Sequence, residues 1–268
     1  MIKLIASDLD GTLLGPDFTC RPRTLSALES AAELGIDIVF VTGRPHRWLD
    51  PLRDQMQHSA YAICSNGAVL YHLGDDRVVD TCLTDMADVA AVHPVLSAEF
   101  PTACFTLETM GSVYIQGDYE YGPVLEGAHI IEGDFSDVLT QPDPVVKYLM
   151  RVEGADPETL YQHTLPLVED HLALTIGING VPLMEMAQKG MHKGRMLAEF
   201  AQERGIKPSE IVAFGDMPND LEMLQWAGHS YAMASGSPRL IREIGQTCPG
   251  FEQDGVAQII EKIVAEQR

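Results

Sequence analysis

The chain has 268 residues, 46% hydrophobic and 21% charged, enough to bury one large core or two modest ones and too apolar to remain disordered. Its 39 Asp and Glu against 18 Lys and Arg leave a formal net charge of -21, which argues against nucleic acid and against an anionic membrane surface as partners. Cys20, Cys64, Cys82, Cys104 and Cys248 are scattered without a CxxC pair, so they read as reduced thiols. With no leader-like N-terminus and no apolar run of about 20 residues, the expected address is the cytoplasm.

The first apolar run, residues 2–7, reads as a strand and stops at Asp8 and Asp10, followed by the turn pair Gly11-Thr12. "RPRTLSALESAAELG" has helical spacing at Leu25, Leu28, Ala32 and Leu34, with Gly35 as its C-terminal cap. "IDIVFVTGR" reads as a strand buried on both faces, "PHRWLDPLRDQMQ" as a helix interrupted at Pro51, and "YAICSNGAVL" as a further strand. Strand–helix alternation of this kind predicts a parallel sheet covered on both faces by helices.

From Thr81 the rhythm changes. A helix is expected over 84–99, a hairpin over "ACFTLE" and "SVYIQ" with Gly111 at its turn, and a strand at "VVKYLMRVEG". Asp156 and Pro157 open a helix as cap and first residue, and "LALTIGI" and "VPLMEMA" form a hairpin around Asn179-Gly180. "EGD" at 132–134 reads as an exposed acidic loop. The alternation then returns with a helix at "HKGRMLAEFAQERGI", a strand at "EIVAFGD", a helix at "PNDLEMLQWAG" and a closing helix at "VAQIIEKIVAEQ". The expected fold class is therefore α/β: a Rossmann-like parallel-sheet core over 1–81 and 185–268, with an inserted α+β cap over 82–184.

Polar residues recur at the carboxyl ends of the core strands: Asp8-x-Asp10-Gly11-Thr12, Thr42-Gly43-Arg44, and Asp216 with Pro218-Asn219-Asp220. Ligands of open parallel sheets bind beyond those ends, so these groups are expected to share one site with the insert as its lid. Side chains alternate along a strand, so Asp8 and Asp10 leave on the same side, and two like charges there tolerate each other if a cation lies between them and Asp216. Such hard oxygen ligands suit magnesium, and a phosphate oxygen can fill one of its positions. Asp8 is then a nucleophile for phosphorus, and Asp10 an acid and later a base. Thr42 and Lys193 are clamps on the phosphoryl oxygens, and Asp220 is an outer group orienting metal-bound water.

At this point a resemblance becomes specific. "DLDGT", "VTGR", Lys193-Gly194 and "GDMPND" resemble, in order, the four motifs of the haloacid dehalogenase superfamily, and "SNGA" at 65–68, Met223 and "DGVAQII" resemble its Cof subfamily of metabolite phosphatases. The resemblance spans the whole chain and implies a magnesium-dependent phosphohydrolase with an inserted α/β cap. In it Asp8 and Asp216 bind metal through side chains and Asp10 through its carbonyl. An acid at position 10 favours phosphoester hydrolysis over dehalogenation. Ser235, where the Cof pattern usually has Asn, and Pro218 are departures from the family pattern.

Asn219, Gly43, Arg44 and Asn66 are expected at the edge of the site, as neighbours of the metal or of the substrate. Lys189 competes with Lys193 for the clamp, and His192 beside it is most simply a packing or surface residue. Tyr114, Lys147, Tyr148 and Glu185 are cap candidates for substrate contact. The expected ligand is a small phosphorylated metabolite, a sugar phosphate or a phosphorylated cofactor, and the expected assembly a monomer or homodimer. A phosphomutase and a non-catalytic sensor of phosphorylated ligands are the alternative readings.

Overall fold

The structure is a computed structural model that describes residues 1–15, 18–56, 58–118, 128–140, 143–177 and 180–268. The chain divides into two compact units, Met1–Asp80 with His192–Arg268, and Thr81–Met191.

In the first unit the chain order is β1 (Leu4–Ser7), α1 (Pro22–Glu33), β2 (Asp37–Val41), α2 (Asp50–Arg53), β3 (Tyr61–Cys64), β4 (Val69–His72) and β5 (Arg77–Thr81). The second unit holds α3 (Met86–Glu99), β6 (Cys104–Thr109), β7 (Ser112–Gln116), β8 (His129–Glu132), β9 (Val145–Arg151), α4 (Pro157–Val168), β10 (Leu172–Ile176) and β11 (Leu183–Gln188). The first unit resumes with α5 (Lys193–Glu203), β12 (Ile211–Gly215), α6 (Leu221–Trp226), β13 (His229–Met233), α7 (Pro238–Ile244), β14 (Thr247–Cys248) and α8 (Gly255–Gln267).

Among the described residues the first unit's sheet has eight strands in the order β14-β13-β12-β1-β2-β3-β4-β5. The pairings from β14 through β3 are parallel, and β4 runs antiparallel to β3. β1 and β12 lie at its centre, with Leu4, Ile5, Ala6, Ile211, Val212 and Phe214 fully buried. Burying each large side chain is worth about 1.5–3 kcal/mol, which is why these runs show no polar alternation.

Pro22 opens α1, where its missing N–H costs nothing, and Gly35 at φ +78 ends it. The helix buries Thr24, Ala27, Leu28 and Ala31, whereas Leu34 is exposed, so the inward stripe lies one position away from part of the expected one. The helix expected over residues 45–57 is a 3-10 turn, His46–Trp48, followed by the single turn α2, because Pro51 removes a backbone donor.

The second unit is a six-stranded sheet among the described residues, ordered β10-β11-β9-β6-β7-β8. α3, α4, Phe135 and Val138 pack with Phe105, Leu107, Tyr148, Met150, Met184 and Met186 in one cluster. Both expected hairpins form, β6 with β7 and β10 with β11, although Asn179 lies outside the described residues. Asp156 caps α4 by accepting from the Thr159 amide at 2.9 Å. "EGD" is not purely a loop, since Glu132 ends the exposed strand β8, parallel to β7. The return to the first unit falls at Met191/His192 rather than near residue 185, because β11 pairs with β10 and β9 in the second sheet.

Candidate active site

The first unit brings the carboxyl ends of β1, β2 and β12 together. Lys193, the first residue of α5 and only 2% exposed, donates to Asp8 Oδ1 and to Asp220 Oδ1, each at 2.6 Å. α5 can approach this closely because residue 194 is glycine; a Cβ there would sit 2.7 Å from the Glu222 carbonyl carbon, at the start of α6. His192 is the cap of α5, its Nδ1 accepting from the Arg195 amide at 3.2 Å. Lys189, the competing lysine, lies in the second unit, exposed and bonded to the Asp170 carbonyl at 3.1 Å.

Asp220 is fully buried and has both oxygens engaged. Oδ1 accepts from Lys193, and Oδ2 accepts from the amides of Asp216 and Met217, each at 3.0 Å. Pro218 opens the short 3-10 turn Pro218–Asp220 that delivers this carboxylate, a position where proline costs no hydrogen bond. Gly215 belongs to the same arrangement, since a Cβ on it would sit 2.6 Å from Asp220. Asp220 is thus an anchor of the Asp216 loop and of Lys193.

Asp216 accepts from the Thr12 hydroxyl at 3.3 Å and lies against Gly11, whose φ is +80 and whose absent Cβ would stand 2.6 Å from Asp216 Oδ2. Among the described residues the one grouping of three metal-ligating side chains is Asp8, Asp216 and Asp220, their ligand atoms within 4.8 Å of one another. Burial, then the charges of Asp220 and Asp216, push the Asp8 carboxyl well above its usual range, against the pull of Lys193. Burial and Asp220 likewise raise Asp216 to about 7, opposed by Lys193 and Thr12. Lys193 itself is raised: burial alone would lower it, but Asp220 and Asp8 override that.

Three crowded carboxylates facing one ammonium form a donor set short of positive charge, and hard oxygen ligands beside a glycine cradle fit magnesium. Asp8 and Asp216 are the side chains with oxygens left to offer it.

Thr42 is fully buried and its hydroxyl accepts from the Arg44 amide at 3.0 Å, leaving its proton available to a ligand. Asn66, in left-handed backbone at φ +57, accepts from Asn219 Nδ2 at 3.3 Å, and its Oδ1 would lie 3.3 Å from a Cβ on Gly43. Arg44 does not point into solvent; it forks onto the Asp10 carboxylate. Ser235 is exposed.

The structure therefore gathers Asp8, Asp10, Thr42, Gly43, Arg44, Asn66, Lys193, Asp216, Asn219 and Asp220 at one end of one sheet. Thr12 and Phe18, which packs on Arg44, join the site without having been singled out. Thr12 was legible as part of "DLDGT", whereas nothing in the sequence marks Phe18.

In the second unit the four cap candidates separate by strand alternation. Tyr148 is buried in the hydrophobic cluster with its hydroxyl 2.7 Å from His93 Nδ1, and Tyr114 packs on the same cluster. Tyr148 is thus a core residue and Tyr114 a half-buried one at its edge. Lys147 takes the opposite face of β9 and pairs with Glu185 of β11 at 3.0 Å.

The family model of the haloacid dehalogenase-like hydrolases matches residues 5–260. The chain belongs to that family. Among similar proteins, the 5-amino-6-(5-phospho-D-ribitylamino)uracil phosphatase YitU of Bacillus subtilis is 28% identical over 275 residues, covering 97% of this chain and 96% of its own. The pyridoxal phosphate phosphatase YbhA of Escherichia coli is 27% identical over 278 residues, with 96% and 97% covered. A solved haloacid dehalogenase-like hydrolase from Bacteroides thetaiotaomicron aligns at a TM-score of 0.78 with 22% identity, over 98% of this chain and 100% of its own, which establishes the shared fold. The parallel-sheet α/β core described above is the fold of that family.

Proposed function

We propose that the enzyme hydrolyses phosphate monoesters of small metabolites, sugar phosphates or phosphorylated cofactors, with magnesium and through an aspartyl-phosphate on Asp8. The observation that carries this reading is the buried Lys193 ammonium holding Asp8 and Asp220 while Asp216 stands beside them. That arrangement holds the Asp8 carboxylate on Lys193 at the mouth of β1, which supports its role as the nucleophile.

Asp8 and Asp216 would hold the metal by side chains and Asp10 by its carbonyl, and when bound the ion offsets the charge of the carboxylates and of the phosphoryl oxygens. An Asp8 oxygen bonds to phosphorus as the ester P–O bond breaks, and the leaving oxygen takes a proton from the Asp10 carboxyl. A water oxygen then attacks the phosphorus, its proton passes to Asp10, the Asp8–phosphorus bond breaks, and phosphate departs. Thr42 donates its hydroxyl proton to a phosphoryl oxygen, and Lys193 adds a fixed charge beside the nucleophile.

The names of YitU and YbhA point to phosphorylated small metabolites as the substrate class. Among the described residues no helix is long and apolar enough to cross a membrane. The cysteines are scattered without a CxxC pair, which suits a cytoplasmic protein, and we take its assembly to be a monomer or homodimer.

The test is phosphate release from a panel of phosphorylated metabolites and from p-nitrophenyl phosphate, with magnesium or with EDTA. Release that needs magnesium and disappears in Asp8→Asn is the expected result. No release from any ester, with a lasting phosphoryl group on Asp8, would overturn hydrolysis in favour of a mutase or a sensor.

A further inference from the structure

Both oxygens of the Asp10 carboxylate are taken by one guanidinium: Arg44 Nε donates to Oδ2 at 2.8 Å and an Arg44 terminal nitrogen donates to Oδ1. Such a fork sets the plane of the carboxylate as well as its position. Arg44 is itself held at both ends of its residue. Its amide donates to Thr42 Oγ1 at 3.0 Å and its carbonyl accepts from the Ser65 amide at 2.9 Å. The guanidinium face is covered by the Phe18 ring, 4.3 Å from its carbon.

Phe18 is an odd residue for its place. The residue is 53% exposed and its φ is +59, left-handed backbone that a bulky side chain adopts only at a cost. Neither water nor local backbone preference favours a phenylalanine there. Stacking on Arg44 does, since the face of an aromatic ring attracts a cation. The Arg44 side chain is 12% exposed whereas that of Asp10 is 49% exposed, so the clamp is sheltered while the carboxylate it holds remains open to a ligand.

We infer that Phe18 and Arg44 are positioning residues that orient the Asp10 carboxyl toward the leaving oxygen of the substrate. The inference rests on the phosphatase reading above. Phe18 fixes the plane of Arg44, Arg44 fixes the plane of Asp10, and Asp10 delivers the proton as the ester bond breaks. A loosened Asp10 costs most where the leaving group needs that proton, as an alkoxide does, and least where it departs as a stable anion, as p-nitrophenolate does. Arg44 bound to the phosphoryl group instead would affect both esters alike.

The experiment measures kcat/KM for an alkyl phosphate and for p-nitrophenyl phosphate in wild type, Phe18→Ala, Arg44→Lys and Asp10→Asn. kcat/KM covers only the steps through departure of the leaving group, so the later role of Asp10 as a base does not enter. General acid catalysis contributes about 10²–10⁴-fold. On that scale, Asp10→Asn is expected to lower the alkyl-to-aryl ratio of kcat/KM by about 100-fold, and Phe18→Ala and Arg44→Lys by about tenfold each. Adding Arg44→Lys to Asp10→Asn should lower the ratio no further, since the clamp acts only through Asp10. Equal losses for both esters, or an unchanged ratio in Phe18→Ala and Arg44→Lys, would overturn the clamp. Wild-type release from p-nitrophenyl phosphate tests the phosphatase reading separately, so the two failures are distinguishable.

Discussion

Lys193 is the residue on which the site's charge balance turns. Removing it leaves Asp8 and Asp220 buried without a counter-charge, a loss of about 3–5 kcal/mol for a broken buried pair. Lys193→Met should therefore lower the unfolding midpoint as well as phosphate release, both read on the same preparation. Magnesium should restore part of the stability by supplying charge, but not the activity. Release close to wild type would remove Lys193 from the mechanism. The acidic motifs were readable in the sequence, because carboxylates at a strand end next to a Gly-Thr turn have little structural reason to be there. Lys193 stood out only by its place in the resemblance, with Lys189 as its competitor. Asp220's anchoring of a backbone loop was not readable, since a sequence does not say whether a carboxylate faces a metal or an amide. The cover Phe18 gives to Arg44 was equally hidden, as two residues 26 positions apart in sequence carry no spacing signal for that contact.

At the scale of elements, the positioning of Lys193 depends on how near α5 comes to α6. A Cβ on residue 194 would meet the Glu222 carbonyl carbon at 2.7 Å, so Gly194→Ala should force the two elements apart. Overpacking of this sort costs about 1–3 kcal/mol. Denaturant midpoints of wild type and variant should show that loss, together with a fall in kcat, as Lys193 is the adjacent residue. An unchanged midpoint would mean that the helices adjust freely. Periodicity located most helices and the buried strands of the core, where apolar runs are continuous. It misread residues 45–57, where proline breaks the helix into two turns, and it passed over the exposed strands β5 and β8, which have no buried face to leave a pattern.

Over the whole molecule, pH acts on stability through a buried imidazole in the second unit as well as through the carboxylates of the first. His93 of α3 lies among Phe105, Phe135 and Tyr148, and burial lowers its pKa below the ordinary 6.5, although Asp134 and Gln116 act the other way. The folded chain thus keeps His93 neutral where the unfolded chain has begun to bind a proton. The contribution of the neutral ring is complete above pH 6.5 and is lost progressively as pH falls below that value toward the depressed one. Thermal unfolding of wild type and His93→Gln from pH 7.5 to 5.5 should show the wild-type advantage shrinking with acidity. A constant advantage would mean that His93 is not held neutral. The division into two units was visible in the change from strand–helix alternation to paired hairpins near residue 81. The return point was harder to see, because β11 is an apolar strand like those of the core and only its antiparallel partners assign it to the second sheet.

The central claim is that Asp8 takes the phosphoryl group, and the most direct measurement looks for that group. Asp10→Asn, loaded with magnesium and mixed with p-nitrophenyl phosphate, whose leaving group needs no proton from Asp10, should accumulate the acyl phosphate because the base for its hydrolysis is gone. Borohydride reduction followed by peptide mass spectrometry should then find homoserine at position 8 and leave Asp216 and Asp220 unchanged. Homoserine at another aspartate, or none while phosphate is still released, would contradict the account.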